Sequence, residues 1–320
     1  MALSGSDIKR FRATTNDDTG SNGGRMTAVE VADITGILWP SAADAERTAG
    51  STKYRKLFHA NHNADDEAAY NVRFVLDEPT TGDDALYLFP GTATDTQSGI
   101  SSPDLFGAGL LDAGVLVNDT EIDVAVEDGA VIIFRDTEQI RIKDGAAEEW
   151  ATISGTPSVA GDVVTITLAA GLANAWSSGA QVSSAIEVSD LTPTVTNKVV
   201  TSAAGTFDET DITLDNKGTI YDTWTLTFSD ATNFSAAGSF KGAVGSGVIG
   251  STFAPNNADY SQPYFSIPAA AWGGTFANGD TVVFVTHPAA AGIWEKRIIP
   301  AGAASKKDNA RTIVAYFEGA

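Results

Sequence analysis

Hydrophobic positions in this chain recur every second residue in short runs, the period of half-buried strands rather than helices. The clearest early run is 53–60, where Tyr54, Lys56 and Phe58 fall on one side and Arg55, Leu57 and His59 on the other. The same spacing predicts a first strand over 6–12, loose alternation over 27–39, an antiparallel return over 70–76 and a third strand over 85–89. Residues 42–49 read as a short helix. Residues 91–114, broken by Gly, Ser and Pro103, read as a linker.

After the linker the pattern changes. Short strands are expected at 121–126, 130–134, 140–143, 149–153, 162–168 and 184–188, with a helical turn over 169–177 around Trp176. Their turns, such as Asp128-Gly129, Asp144-Gly145 and Ala160-Gly161, recur about every eight to twelve residues, the spacing of a small sandwich or barrel. A boundary is expected at Leu191-Thr192-Pro193-Thr194. Beyond it come strands at 198–202, 211–214 and 221–228, the last with Trp224, Leu226 and Phe228 facing one core. The glycine-rich stretch 238–250 reads as a flexible loop. Residues 281–286 form a continuous apolar run fit for a central strand, ended by His287-Pro288. The long pair 292–300 and 311–319 then finishes the same sheet.

The two ends share a habit: an aromatic residue followed by cations at strand spacing, Tyr54-Arg55-Lys56 and Trp294-Glu295-Lys296-Arg297. We therefore expect an all-β chain. Residues 1–100 and 275–320 would form one discontinuous sandwich from both ends. A small sandwich or barrel domain is expected over 109–190, and a second β region over 191–274 that could be continuous with the terminal sandwich. Tyr54, Arg55, Lys56, Trp294, Lys296 and Arg297 are the expected contacts between domains or subunits, with acidic turns of a neighbouring copy as partners for the cations.

Composition narrows the function classes. At 320 residues the chain is long enough for two or three cores, and 43% hydrophobic content separates it from disordered acidic tails. Its net charge of −21 repels phosphate backbones, so no nucleic-acid groove is expected. No cysteine is present, which excludes disulfides and thiolate metal sites. The first residues lack the basic start and apolar core of a signal peptide, and no apolar run approaches the roughly 20 residues of a membrane span.

Candidate chemistry is sparse. Asn16-Asp17-Asp18 with Gly20 looks like a calcium loop but lacks the ligand order and closing glutamate of an EF-hand. His59 and His62 are the closest histidine pair, without a visible third ligand. The glycines at 242, 245, 247 and 250 lack the strand, helix and Gly-Lys-Ser/Thr of a phosphate cradle. No G-x-S-x-G elbow occurs. Paired carboxylates at 65–67, 83–84, 148–149 and 208–209 could in principle serve a glycosidase, yet all lie in turns. Six tryptophans spread along the chain suit one core ring per subdomain better than a sugar-binding platform. We expect no enzyme, no cofactor and no metal.

Ser6-Asp7-Ile8-Lys9 with the run Ala45 to Lys56 (A-E-R-T-A-G-S-T-K-Y-R-K) resembles tailed-bacteriophage virion structural proteins, where a small-residue turn precedes a Y-R-aromatic strand. The closing Trp294-Glu295-Lys296-Arg297 and Pro300-Ala301-Gly302 look like the W-x-K-R…P-A-G ending of that group. The stretches 109–143 and 154–175 are similar to the Ala/Gly/Thr-rich β modules of phage tail proteins. The resemblance implies a non-enzymatic subunit made in host cytoplasm and built into the virion. A tail tube or a tail tip or baseplate is the expected place, in a homo-oligomeric ring of three- or six-fold symmetry beside other tail or head proteins. A capsid decoration protein and a receptor- or glycan-binding tail module are the alternatives. No membrane partner is implied.

Overall fold

The structure is a computed structural model that describes residues 3–31, 38–306 and 312–319. Residues 32–37 of the loosely alternating stretch, and Arg311 at the start of the expected last strand, lie outside the described residues. The fold is all-β. The first segment contributes β1 (Ile8–Thr15), β2 (Gly23–Glu30), the helix α1 (Asp44–Ala49), β3 (Ser51–Asn61), β4 (Ala69–Leu76) and β5 (Ala85–Gly91). The middle contributes β6 (Ala108–Leu111), β7 (Glu121–Ala125), β8 (Gln139–Asp144), β9 (Ala147–Thr152), β10 (Ser158–Ala160), β11 (Val163–Thr167) and β12 (Gln181–Glu187). Then follow β13 (Thr194–Thr201), β14 (Thr206–Phe207), β15 (Asp222–Phe228), β16 (Asn233–Gly238) and β17 (Gly242–Val248). The short β18 (Asn256–Asn257), β19 (Gln262–Pro263) and β20 (Trp272–Gly273) lead to β21 (Thr281–His287), β22 (Ala290–Ile299) and β23 (Ile313–Gly319).

Three sheets carry the architecture. The first runs β2-β1-β3-β22-β5, so a strand from near the end of the chain sits between two from its beginning. The second runs β10-β11-β7-β6-β12-β4-β23, with β8 and β9 branching from β12. The third runs β13-β21-β15-β16-β17.

Alternation on β3, β22 and β5 dictates what the first sheet packs against. Leu86, Leu88 and Ile293 point to the face that meets Val72, Phe74 and Leu76 of β4 and Ile186 of β12. Tyr87, Phe89 and Trp294 point to the opposite face and join the core of the middle segment. Further along that second face, Phe11, Ala13 and Phe58 pack with Tyr260 of the third segment. This sheet is therefore covered on both sides, and its charged residues have to find partners inside the protein.

β12 is shared between the parts. Its first half pairs with β6 and β8, and its last three residues pair with β4. The third sheet holds a separate aromatic core, in which the Trp224 indole N–H donates to Thr286 Oγ1 at 2.8 Å and the Phe228 and Phe276 rings stack at 3.9 Å.

Several strand expectations are corrected. The segment 70–76 is no hairpin return of β3: both neighbours of β3 are taken by β1 and β22, and β4 crosses to the facing sheet. The crossing is held by the Asn61 side chain, which donates to the carbonyls of Glu67 and Leu191. Nor do β21, β22 and β23 share a sheet: β22 is flanked by β3 and β5, β23 pairs with β4, and β21 lies between β13 and β15. The apolar run 130–134 is not a strand but a plug that buries Ile133 and Phe134, entered where Gly129 lies against the Gly161 carbonyl. Residues 211–214 give a 3-10 turn and a single bridge from Thr213 to Ser266 rather than a strand. The expected linker contains β6. The expected loop 238–250 contains β17: a side chain at Gly247 would collide with the Phe234 ring at 2.5 Å, so glycine there is a packing requirement.

Trp294 imposes a similar requirement on the first sheet. A Cβ on Gly91 would lie 2.8 Å from its ring, whereas one on Gly99 would meet nothing within 4 Å. Gly91→Ala should therefore lower stability by about 1–3 kcal/mol, and Gly99→Ala should be close to neutral. Urea unfolding midpoints of the two variants check this.

Candidate functional site

The expected contact residues come together on one antiparallel strand pair. β3 and β22 pair along ten residues, with Trp294 opposite Lys56, Glu295 opposite Arg55, Lys296 opposite Tyr54 and Arg297 opposite Lys53. Alternation then sorts them onto two faces.

On one face Lys56 is fully enclosed. Its Nζ donates to Asp95 Oδ1 and, at 2.9 Å, to the Gly24 carbonyl, and it lies 4.7 Å from the centre of the Phe58 ring. Burial lowers the Lys56 pKa, opposed by the carboxylate of Asp95. The other oxygen of Asp95 accepts the Trp294 indole N–H at 2.8 Å, and Trp294 stacks on Phe89. Asp95 itself is fixed by a local loop in which it and Thr92 exchange hydrogen bonds between backbone and side chain.

On the other face Arg55 donates to the carbonyls of Leu38, Asp17 and Tyr54 and pairs with Asp18 at 2.8 Å. Its guanidinium lies 5.0 Å from the Trp39 ring centre. The Trp39 indole N–H donates to Glu295, which is buried. Burial pushes the Glu295 carboxyl up to about 7, against the opposing pull of the Trp39 N–H and of Arg10 and Arg55. Arg297 pairs with Asp84 at 2.8 Å. Lys53 bridges Asp18 and Glu46, and the bond to Glu46 raises its pKa.

The expectation assigned these cations to the acidic turns of a neighbouring copy. In the structure Lys53, Arg55, Lys56 and Arg297 meet acids of their own chain, and Arg55, Lys56 and Trp294 are buried within it. Tyr54, Lys296 and Arg297 remain half-buried. Asp95 and Trp39, which complete the two faces, were missed by the sequence reading. The signal for Asp95 was the Thr92-x-x-Asp95 spacing of a self-bonded turn; Trp39 carries no local signal.

His59 and His62 leave β3 in different directions. His59 packs on Phe74 with ring centres 4.5 Å apart, while His62 packs on Phe11 and Tyr260. Burial pushes their pKa values down, to about 3 for His59 and about 4 for His62. Among the described residues no group of three or more His, Asp or Glu side chains is placed to hold a metal ion. The acidic pair at 148–149 is engaged structurally. Glu149 accepts from the backbone of Ala173 and Asn174 and from the Trp176 indole, and Glu148 accepts from the Tyr316 hydroxyl. Tyr316 in turn accepts from Arg141, a fully buried cation paired with Asp77. No described helix is long and apolar enough to cross a membrane.

The surface offers strand edges instead. β17 pairs with β16 alone, is exposed along most of its length and borders a shallow groove of about 480 Å³ that includes Phe234, Ser246 and Val248.

No protein family model matches the chain, and no characterised protein matches it in sequence. A solved structure it aligns with is VP17, a capsid protein of bacteriophage P23-77, at 12% identity over 83% of this chain and 92% of that one. The TM-score is 0.15, too low for the likeness to bear on fold or role.

Two outcomes follow from the buried charges. Asp95→Asn strands the enclosed Lys56 ammonium and should cost about 3–5 kcal/mol; adding Lys56→Met should recover part of the loss, measured as a double-mutant cycle by urea unfolding. Glu295 titrates near 7 in the folded chain and near 4.5 when unfolded, so its contribution to stability falls as pH rises through that window. Glu295→Gln should thus gain up to about 3 kcal/mol at pH 8 and little at pH 4.5. His59 and His62 act with the opposite sign. They remain neutral in the fold while the unfolded chain takes up protons below 6.5, so stability is lost on acidification.

Proposed function

We propose that this chain is a non-enzymatic structural subunit of a tailed-phage virion, built to associate with copies of itself. Its place is the tail, as a tube or tip component forming rings, with other tail or head proteins as neighbours. The resemblance at 45–56 and 294–302 supports the virion reading. The observation that carries the assembly reading is the distribution of unsatisfied groups. Lys53, Arg55, Lys56, Glu295, Arg297 and the Trp294 indole are engaged inside the molecule, whereas edge strands such as β17 pair with a described strand on one side only. Such edges endanger a solitary protein and serve one whose neighbours complete them. A surface with an excess of acid keeps unassembled copies apart and soluble at high concentration.

Negative-stain electron microscopy of the purified chain, with its solution mass measured alongside, tests this reading. Closed rings are expected, stacking into tubes for a tube subunit and remaining single for a tip subunit. A chain that stays monomeric at high concentration and forms no ring would overturn the tail assignment.

A further inference from the structure

The edge strands of this protein differ in how they are defended. Of those three residues or longer, β2 carries Arg25 and Glu30 and has two register shifts against β1. β9 carries Glu148 and Glu149, and β23 carries Glu318. β10 has three residues. β5 has no charge, but its side chains are largely buried and Leu88 is bridged to Phe106. β13 carries Lys198 and is broken between Thr196 and Val199, where Asn197 adopts a φ of 54°. Charges, bulges, brevity and cover are the ordinary devices that keep sheets from joining edge to edge.

β17 has neither a charge nor a proline, and among the described residues no strand pairs with its outer edge. Its sequence is Gly-Ala-Val-Gly-Ser-Gly-Val, and its single irregularity lies near Val244, leaving 245–248 regularly paired with β16. Val248 at its end and Phe240 just before its start are exposed. Where β17 meets another strand, small side chains present no bulk to keep the backbones apart.

We infer that the outer edge of β17 pairs antiparallel with the same edge of a second copy, joining two five-stranded sheets across a two-fold axis. Resting on the reading of the chain as a self-associating subunit, the inference names one of its contacts: a two-fold joint closes a pair, and rings take a second, different contact. Charge selects the occupant. A chain with 41 acids and 20 cations repels its own copies over most of its surface, and β17 against β17 places no formal charge opposite another. Direction selects the symmetry. In the third sheet every neighbouring pair is antiparallel, so β13 and β17, four positions apart, run the same way. Head-to-tail continuation of that sheet would require a parallel joint onto the bulged β13 edge. Two-fold pairing of β17 gives an antiparallel joint between two copies of the regularly paired run 245–248, the more stable arrangement.

The absence of cysteine makes the test free of background. Val244→Cys, Ser246→Cys and Val248→Cys on β17, and Val199→Cys on β13, are each oxidised under mild conditions as the full chain, and the β17 variants are also mixed with Val199→Cys. A disulfide-linked homodimer from at least one β17 variant, none from Val199→Cys and no mixed dimer are expected. Ser246→Glu should weaken dimerisation at least tenfold in sedimentation while leaving the monomer's unfolding midpoint unchanged. A mixed β17–β13 dimer, or no β17 cross-link at all, would overturn the inference. Dimerisation undiminished in Ser246→Glu would also overturn it and leave the virion reading standing. Cross-linked β17 pairs in a chain that never forms rings would leave the seam standing and remove the tail assignment.

Discussion

The structure depends on a lysine enclosed between two layers. Lys56 lies on a strand whose sheet is covered on both faces, so its ammonium has no water to turn to. The Asp95 carboxylate answers it, and the same carboxylate holds the Trp294 indole, around which Gly91 and Gly23 have to be bare. Four separate stretches of sequence meet at that point. An ion pair in such a place adds little net stability over a well-packed apolar substitute. Its effect is selective, because a register that misplaces β22 against β3 buries a charge without its partner.

Alternation made much of this fold legible. The runs at 53–60, 85–89 and 221–228 became strands, as their spacing had suggested, and the continuous apolar run 281–286 became the interior strand β21. What alternation cannot convey is which strands become neighbours. Residues 70–76 follow 53–60 closely enough to suggest a hairpin, yet β3 is already flanked, and the chain crosses to the facing sheet through the hydrogen bonds of Asn61. The glycine-rich stretch misled for another reason: Gly242 and Gly245 supply positive φ within a paired strand, and Gly247 leaves room for the Phe234 and Phe253 rings.

The candidate site was half legible. Aromatic and cationic residues at strand spacing marked β3 and β22 as a pair with unusual needs, and the register sets them opposite one another. Their partners were not legible, because Asp18, Asp84 and Asp95 sit in turns that look like the other acidic turns of the chain. A turn acid that faces water and one that closes a buried pair share a local sequence. Only the long-range fold separates them.

The way the chain enters and leaves its first sheet has a mechanical consequence. β3 and β22 are bonded side by side over ten residues, and the long middle of the chain departs from β5 and returns to β22. Tension applied along these neighbouring strands would load their hydrogen bonds in shear, many at once, rather than peeling them one by one. The middle and third segments hang as closed loops from this clamp, and β12 ties the middle one to β4 besides. Force travelling through the first sheet would thus bypass both, leaving them free to yield or rotate while the clamp stays shut.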